Sequence, residues 1–302
     1  MSKKKSSIYL FPIMEDTIRS LKALGKARTA ETYALALNSF KRFRKGQDIK
    51  LDDIVSDLML EYEAFLRNRG LCPNTSSFYM RNLRAVYNRI VEKGLTPQQY
   101  PFRHVYTGVD KTVKRAIPLK TIRQIKNMDL NNNASLDFAR DMFMFCFYTR
   151  GMAFVDIAYL QKKDLSYGIL SYRRRKTGQQ MLVRWEKCMQ EIIDKYDNPD
   201  SKYLLPIINP TSGIDERSQY IYAAHKINRC LKSIGKELRL PMSLTIYVAR
   251  HSWASIAKNK NVPLSVISEG MGHNSEETTR IYLASLDTRA IDNANSMILK
   301  LL

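Results

Sequence analysis

Tyr247-Val-Ala-Arg250-His251, then Gly272-His273-Asn274, then Thr278-Thr279-Arg280-Ile281-Tyr282: this ordered run decides how the chain is read. An Arg-His pair, a Gly-His pair and a tyrosine nine residues beyond His273 set a cation, two imidazoles and a phenol in one short segment. Guanidinium is planar, permanently charged and able to donate two parallel hydrogen bonds to a phosphate. Imidazole moves protons near neutral pH. A phenol, with a free pKa near ~10, attacks phosphorus only when its proton is removed or its anion stabilised. The chain has 17 tyrosines, so position rather than residue type singles out Tyr282. Any one of these residues alone is more readily a surface or core group. The ordered set is not.

The rest of the composition fits a polyanionic partner. A formal charge of +20 and a pI near 9.8 lie far from ordinary enzyme balance. Such an excess draws a protein to polyanions, of which nucleic acid is the usual one. The excess is spread, with 19 basic against 10 acidic residues over 1–105 and 30 against 19 beyond, which disfavours a basic tail on a neutral domain. Cys72, Cys146, Cys188 and Cys230 show neither close pairing nor metal-ligand spacing with histidine, and read as reduced thiols. No metal site is expected. Ile8 to Ile13 is too short an apolar run for a signal peptide, and no segment approaches the ~20 apolar residues of a membrane span. The expected location is the bacterial cytoplasm, at the nucleoid.

At 302 residues the chain has room for one large or two ordinary domains. Residues 14–94 read as helices. Thr29 is placed to cap one, with Tyr33, Leu37 and Phe40 at helical spacing and an end near Gly46. Pro73-Asn74-Thr75 opens another, with Tyr79, Leu83, Val86 and Ile90 on one face and Arg81, Arg84 and Asn88 on a second. That second face is either merely solvated or a phosphate-contacting surface, and the net charge favours contact. Pro97, Pro101, Gly108 and Pro118 break the pattern around Lys111, Lys114 and Arg115. The domain expectation is a helical DNA-binding domain over 1–105, a basic linker over 106–117 and a catalytic domain over 118–302. Ile169–Arg173 and Met181–Trp185 flank Lys176-Thr177-Gly178 as a hairpin, and helical patterns resume near Glu186. From Thr288 to Leu302, Ile291, Ala294, Ile298 and Leu301 form an amphipathic stripe that can pack on its own domain or a neighbouring protomer; the expectation is docking in trans.

The set from Tyr247 to Tyr282 resembles the tyrosine recombinases, the phage-integrase-like family that cuts and rejoins DNA through a phosphotyrosine. The resemblance covers nearly the whole chain, with its specific motifs in the C-terminal half. It implies a mainly helical fold with a small antiparallel sheet in the catalytic domain, two domains closing as a C-shaped clamp on DNA, and Tyr282 as nucleophile. Arg250, His251 and His273 match the family's Arg-His and Gly-His positions. Lys176 matches the lysine that protonates the departing 5′ oxygen, although the run Arg173-Arg174-Arg175-Lys176 leaves that match open by one position. Asp156 matches a supporting acidic residue. The resemblance further implies duplex DNA with an inverted-repeat core site as partner, a homotetramer on synapsed DNA from a monomer or weak oligomer, and no cofactor.

Two positions depart from the pattern. Tyr247 stands where the family has histidine, and it cannot carry positive charge. Ala153, after Gly151-Met152, stands where the family has its first catalytic arginine. The Arg150–Asp156 form resembles a subgroup carried on mobile and invertible DNA of anaerobic gut bacteria. Arg150, three residues upstream of Ala153, is the first choice as substitute, with Arg173, Arg174 and Arg175 as competitors; these three are also candidate DNA contacts. Two other activities stay open at this point: a type IB topoisomerase, which uses the same phosphotyrosine, and a DNA-binding relative without catalysis.

Overall fold

Proline at position 73 begins the longest helix of the N-terminal half in the computed structural model, which describes residues 8–110, 115–283 and 297–299. Its fixed φ suits the first helical turn, where a backbone N–H would lack a partner anyway. The chain divides into two compact units, Met1–Lys111 and Thr112–Leu302.

The first unit contains α1 (Leu10–Ala23), α2 (Ala27–Phe43), α3 (Ser56–Asn68) and α4 (Pro73–Glu92). Apolar positions recur every three or four residues, as in Ala30, Tyr33, Leu37 and Phe40, so each helix buries one stripe. Phe40 lies edge-on to Tyr62 at 5.1 Å, and the buried Tyr62 hydroxyl donates to Ser39 Oγ at 2.7 Å. The cap expected at Thr29 is not formed. The helix starts at Ala27 with Lys26 in the capping position, and the Thr29 carbonyl accepts from Thr32 Oγ1 inside the first turn. On α4, Arg81 and Asn88 are exposed, while Arg84 is half-buried and donates to Thr107 Oγ1 at 3.1 Å. Residues 107–110, read from sequence as linker, are tied along α4. Ser77 Oγ donates to the Gly108 carbonyl, and Asn74 pairs with the Asp110 backbone in both directions. Lys111 and Lys114 lie outside the described residues.

The second unit is helical except for one small sheet. Its elements are α5 (Leu119–Lys126), α6 (Ala134–Tyr148), α7 (Phe154–Ala158), β1 (Leu165–Ser166), β2 (Ile169–Arg173), β3 (Gln180–Arg184), α8 (Lys187–Lys195), α9 (Glu216–Glu237), α10 (Ile246–Asn259), α11 (Leu264–Gly270) and α12 (Glu276–Leu283). The sheet is antiparallel in the order β1-β2-β3, with Leu170 opposite Val183 and Tyr172 opposite Met181. These four side chains are buried and alternate with outward residues, as a half-covered sheet requires. The apolar α6, started by Asn133 accepting from the Leu136 N–H, packs against α5, α8, α9 and α10. Lys195 of α8 bridges Asp137 and Asp141 of α6 at 2.5 and 2.7 Å. A separate small cluster of Ala254, Ile267, Met271 and Leu283 holds α10, α11 and α12 together. Among the described residues no helix is long and apolar enough to cross a membrane. Of the stripe expected to dock in trans, residues 297–299 form a helical turn with exposed side chains; the rest lies outside the described residues.

Phe143 of α6 is fully buried, and both tryptophans, Trp185 and Trp253, belong to this unit. Phe143→Ala should therefore lower its stability by about 3–5 kcal/mol, the usual cost of emptying such a site. Urea unfolding followed by tryptophan fluorescence reads the shift.

Candidate active site

Arg250 sits in the first half of α10 with only 5% of its surface exposed, and its guanidinium is satisfied from three places. Nη1 donates to the Gly151 carbonyl at 2.5 Å, and Nη2 donates to the Met271 carbonyl at 2.8 Å. Nη2 also lies 3.0 Å from His273 Nε2. The approach of the α6–α7 turn depends on Gly151: its φ is +74°, and a Cβ there would stand 2.8 Å from Arg250 Cα.

A guanidinium only donates, so the contact with Arg250 favours the form of His273 in which Nε2 accepts and the proton sits on Nδ1. Nδ1 then donates to Thr279 Oγ1 of α12, 2.7 Å away and fully buried. Burial, followed by the positive charges of Arg250, Arg174 and Lys176, pushes the His273 pKa down to about 4. His273 is therefore neutral at pH 7.

The hairpin supplies the second guanidinium. Arg174, expected both as a DNA contact and as a competitor of Arg150 for the missing arginine's role, is 7% exposed and donates to the Gly272 carbonyl. Its Nε lies 3.9 Å from the buried Asp156 Oδ2. Burial and then the nearby charge of Arg250 lower its pKa, and Asp156 opposes that shift. Gly272 permits the approach: its φ is +64°, and a Cβ would meet Arg174 Cδ at 2.6 Å. Asp156 Oδ1 accepts the Arg175 N–H at 2.9 Å, which ties the hairpin turn to α7. Burial raises the Asp156 pKa, and the Arg175 N–H bond and the charges of Arg174, Arg250 and Arg175 pull it back. Arg175 lays its guanidinium over the Tyr159 ring at 3.7 Å, Arg173 donates to the Gly178 carbonyl at 3.0 Å, and Lys176 is exposed at the turn.

Arg150 takes another course. Its φ is +61°, in the left-handed region, and Nη1 donates to the Leu182 carbonyl of β3 at 3.3 Å. Arg174, rather than Arg150, is the arginine brought to Arg250, His273 and Asp156, while Ala153 caps α7. Tyr247 is 56% exposed with its ring edge-on to His251 at 4.5 Å, and His251 is buried beneath it. Tyr282 lies in the last turn of α12, and its side chain is outside the described residues. A hollow of about 640 Å³ between α6 and α9, lined by Phe138, Ile207, Tyr222 and Ile227, contains none of these residues.

Two features escaped the sequence reading. Thr279 was visible as part of Thr278-Thr279, but only burial separates it from its exposed neighbour. On α9, Tyr222, His225, Arg229, Lys232 and Lys236 recur at three- and four-residue steps and are all exposed, a mostly basic stripe that spacing alone could have revealed.

The phage integrase family model fits residues 120–289, and the phage integrase SAM-like domain model fits residues 9–105. The chain belongs to the phage integrase family, the class of tyrosine-type site-specific recombinases. The tyrosine recombinase XerC of Roseiflexus sp. (strain RS-1) is 22% identical over 272 residues, covering 85% of this chain and 83% of that protein. The fold is similar to that of lambda integrase in a tetramer bound to a Holliday junction, with a TM-score of 0.66, 14% identity and coverage of 92% and 78%. It is likewise similar to the XerH site-specific recombinase bound to a palindromic difH substrate in a post-cleavage complex, with a TM-score of 0.67, 18% identity and coverage of 95% and 84%.

The depressed pKa of His273 has a consequence for acid stability. Unfolding returns the imidazole from about 4 toward 6.5, so the unfolded chain binds the extra proton between those values. The contribution of this contact should be complete above pH 6.5 and lost as pH falls through about 4. Urea midpoints of wild type and His273→Gln, compared at pH 7 and pH 4.5, should converge at the lower pH.

Proposed function

We propose that this recombinase cuts and rejoins DNA through Tyr282, with Arg250 and Arg174 as the paired guanidiniums that hold the scissile phosphate. The juxtaposition of Arg250, Arg174 and His273, drawn from α10, the hairpin and the turn before α12, is the observation that carries this reading. Two buried cations side by side repel one another, and an anion between them relieves that cost. A phosphodiester is such an anion, and it becomes more negative on its non-bridging oxygens as the nucleophile arrives.

The Tyr282 phenol gives up its proton to solvent as its oxygen attacks phosphorus, the bond to the 5′ oxygen breaks, and the products are a 3′-phosphotyrosine and a 5′ hydroxyl. Lys176, at the exposed hairpin turn, protonates the leaving oxygen. A 5′ hydroxyl from a partner duplex then attacks the phosphotyrosine, restoring the DNA backbone and the free phenol. Bond energy is conserved throughout, so no nucleotide cofactor is consumed. His273 holds Arg250, Asp156 holds the hairpin turn, and Tyr247 offers a hydroxyl in place of the family's histidine, with His251 packed beneath it.

Phosphate contacts away from the reacting centre come from Arg81, Arg84 and Asn88 on α4, the exposed Arg173 and Arg175, and the α9 stripe. The partner is duplex DNA with an inverted-repeat core, bound by four protomers at synapsis; the lambda integrase tetramer on a Holliday junction supports that assembly. The Arg150-Gly-Met-Ala-Phe-Val-Asp156 form supports placement in the subgroup of mobile and invertible DNA.

Two experiments check these roles. Incubation with a nicked suicide site should yield an SDS-resistant protein–DNA adduct, and Tyr282→Phe should abolish it; an equal adduct from the variant would show another nucleophile. Arg174→Ala should slow single-turnover cleavage by roughly 10²–10³-fold, the usual cost of one oxyanion donor, with little change in DNA affinity. Arg150→Ala should cleave within a few-fold of wild type, and the reverse ranking would return the role to Arg150.

A further inference from the structure

Thr278 and Thr279 are adjacent but differ in environment. Thr278 is exposed, and its hydroxyl and N–H face Ser275 Oγ at 3.1 and 3.4 Å, at the start of α12. Thr279 is fully buried, and its hydroxyl meets His273 Nδ1 at 2.7 Å. One turn further along α12, Leu283 is 2% exposed in the small cluster with Ala254, Ile267 and Met271. Residues four apart share a helix face, and Thr279 and Leu283 are the two buried residues of α12 among those whose side chains are described. Leu283 supplies apolar contact without direction, whereas the Thr279 hydrogen bond has direction and ends on the phosphate clamp.

The geometry permits one arrangement of protons. A proton on His273 Nε2 would face the Nη2–H of Arg250 across 3.0 Å, donor against donor. The Nδ1–H form avoids that clash, provided an acceptor stands at Nδ1. Thr279 Oγ1 is that acceptor.

We infer that Thr279 is a positioning residue, whose hydroxyl fixes His273 in the Nδ1–H form and links the seating of the nucleophile-bearing helix to the guanidinium of Arg250. The link runs from Arg250 to His273 to Thr279, and through three residues of α12 backbone to Tyr282. When α12 leaves its seat, His273 loses its acceptor and Arg250 loses a fixed partner. Clamp and nucleophile are thereby assembled together. The inference rests on Tyr282 as nucleophile for its catalytic consequence, but the tautomer of His273 does not.

The test uses the full chain and three variants. Thr279→Val keeps the shape and removes the hydroxyl, Thr279→Ser keeps the hydroxyl, and Thr278→Val serves as the neighbouring control. The chain has four histidines, so selective ¹⁵N-histidine labelling gives a readable spectrum, with His273→Gln assigning the signals. Wild type, Thr279→Ser and Thr278→Val should show His273 protonated at Nδ1 alone, and Thr279→Val should lose that single pattern. Single-turnover cleavage at saturating nicked DNA should fall roughly 10–100-fold in Thr279→Val, the scale of a small misplacement of reacting groups. Affinity should be unchanged and Thr279→Ser should recover to within a few-fold. An Nε2–H signal in wild type, or wild-type cleavage by Thr279→Val, overturns the inference. Failure of Thr279→Ser to recover also overturns it, since a hydroxyl is then not what matters. If wild type forms no adduct, the reading of Tyr282 fails instead, and the tautomer spectra alone decide for or against the Thr279–His273 link.

Discussion

The Arg250 guanidinium is buried, with 5% of the residue exposed, and two turns of the second unit converge on it. An unpaired charge at that depth would cost several kcal/mol, so its acceptors are structural requirements. One is the Gly151 carbonyl, presented because α6 ends and the chain passes through two successive left-handed residues, Arg150 and Gly151. Another is the Met271 carbonyl, turned inward where α11 gives way to the left-handed Gly272. The third is the His273 imidazole, which in turn rests on α12 through Thr279. A single cation thus gathers the end of α6, the α11–α12 turn and, through His273 and Thr279, helix α12. Each element could be a stable helix elsewhere; this ion makes their relative placement specific.

Placing Arg174 in the same region adds cost rather than stability. Its charge is disfavoured by burial and by Arg250, and Asp156 recovers only part of that at 3.9 Å. Sites that spend stability in this way are typical of preorganised electrostatic catalysis, where donors are held in place before the charge they stabilise develops. The missing arginine at Ala153 also becomes intelligible. On the proposed reading, a guanidinium delivered from the hairpin takes the role of the one absent at Ala153, and Gly272, lacking a Cβ, leaves room for its stem.

Much of this was legible in the sequence, and the failures have physical causes. The stripes of α2 and α4, Pro73 at a helix start and the hairpin around Lys176 follow from period and turn chemistry. Thr29 was misread because α2 begins at Ala27, two residues before it, so Thr29 lies inside the first turn rather than at the cap. Residues 107–110 lack periodicity, yet side chains of α4 satisfy their backbone, a long-range fact no local pattern encodes. Arg150 was favoured because spacing of three suggests a shared helix face. The chain is not helical there: α6 ends at Tyr148, and a φ of +61° at Arg150 redirects its side chain toward β3. The same local surprise that defeats the spacing rule frees the Gly151 carbonyl for Arg250. The two-residue strand β1 was too short to leave an alternating pattern.

Charge explains how the site accommodates both departures together. A histidine at position 247 could add a proton-dependent positive charge next to two arginines and Lys176. The phenol of Tyr247 adds none, and its exposed ring covers His251. His273 is held neutral first by burial and then by the positive charges of Arg250, Arg174 and Lys176. Guanidinium therefore carries the buried positive charge, and guanidinium does not titrate near neutrality. On the proposed reading, with Arg174 supplied from the hairpin and a phenol at 247, the buried positive charge at this site rests on two guanidiniums.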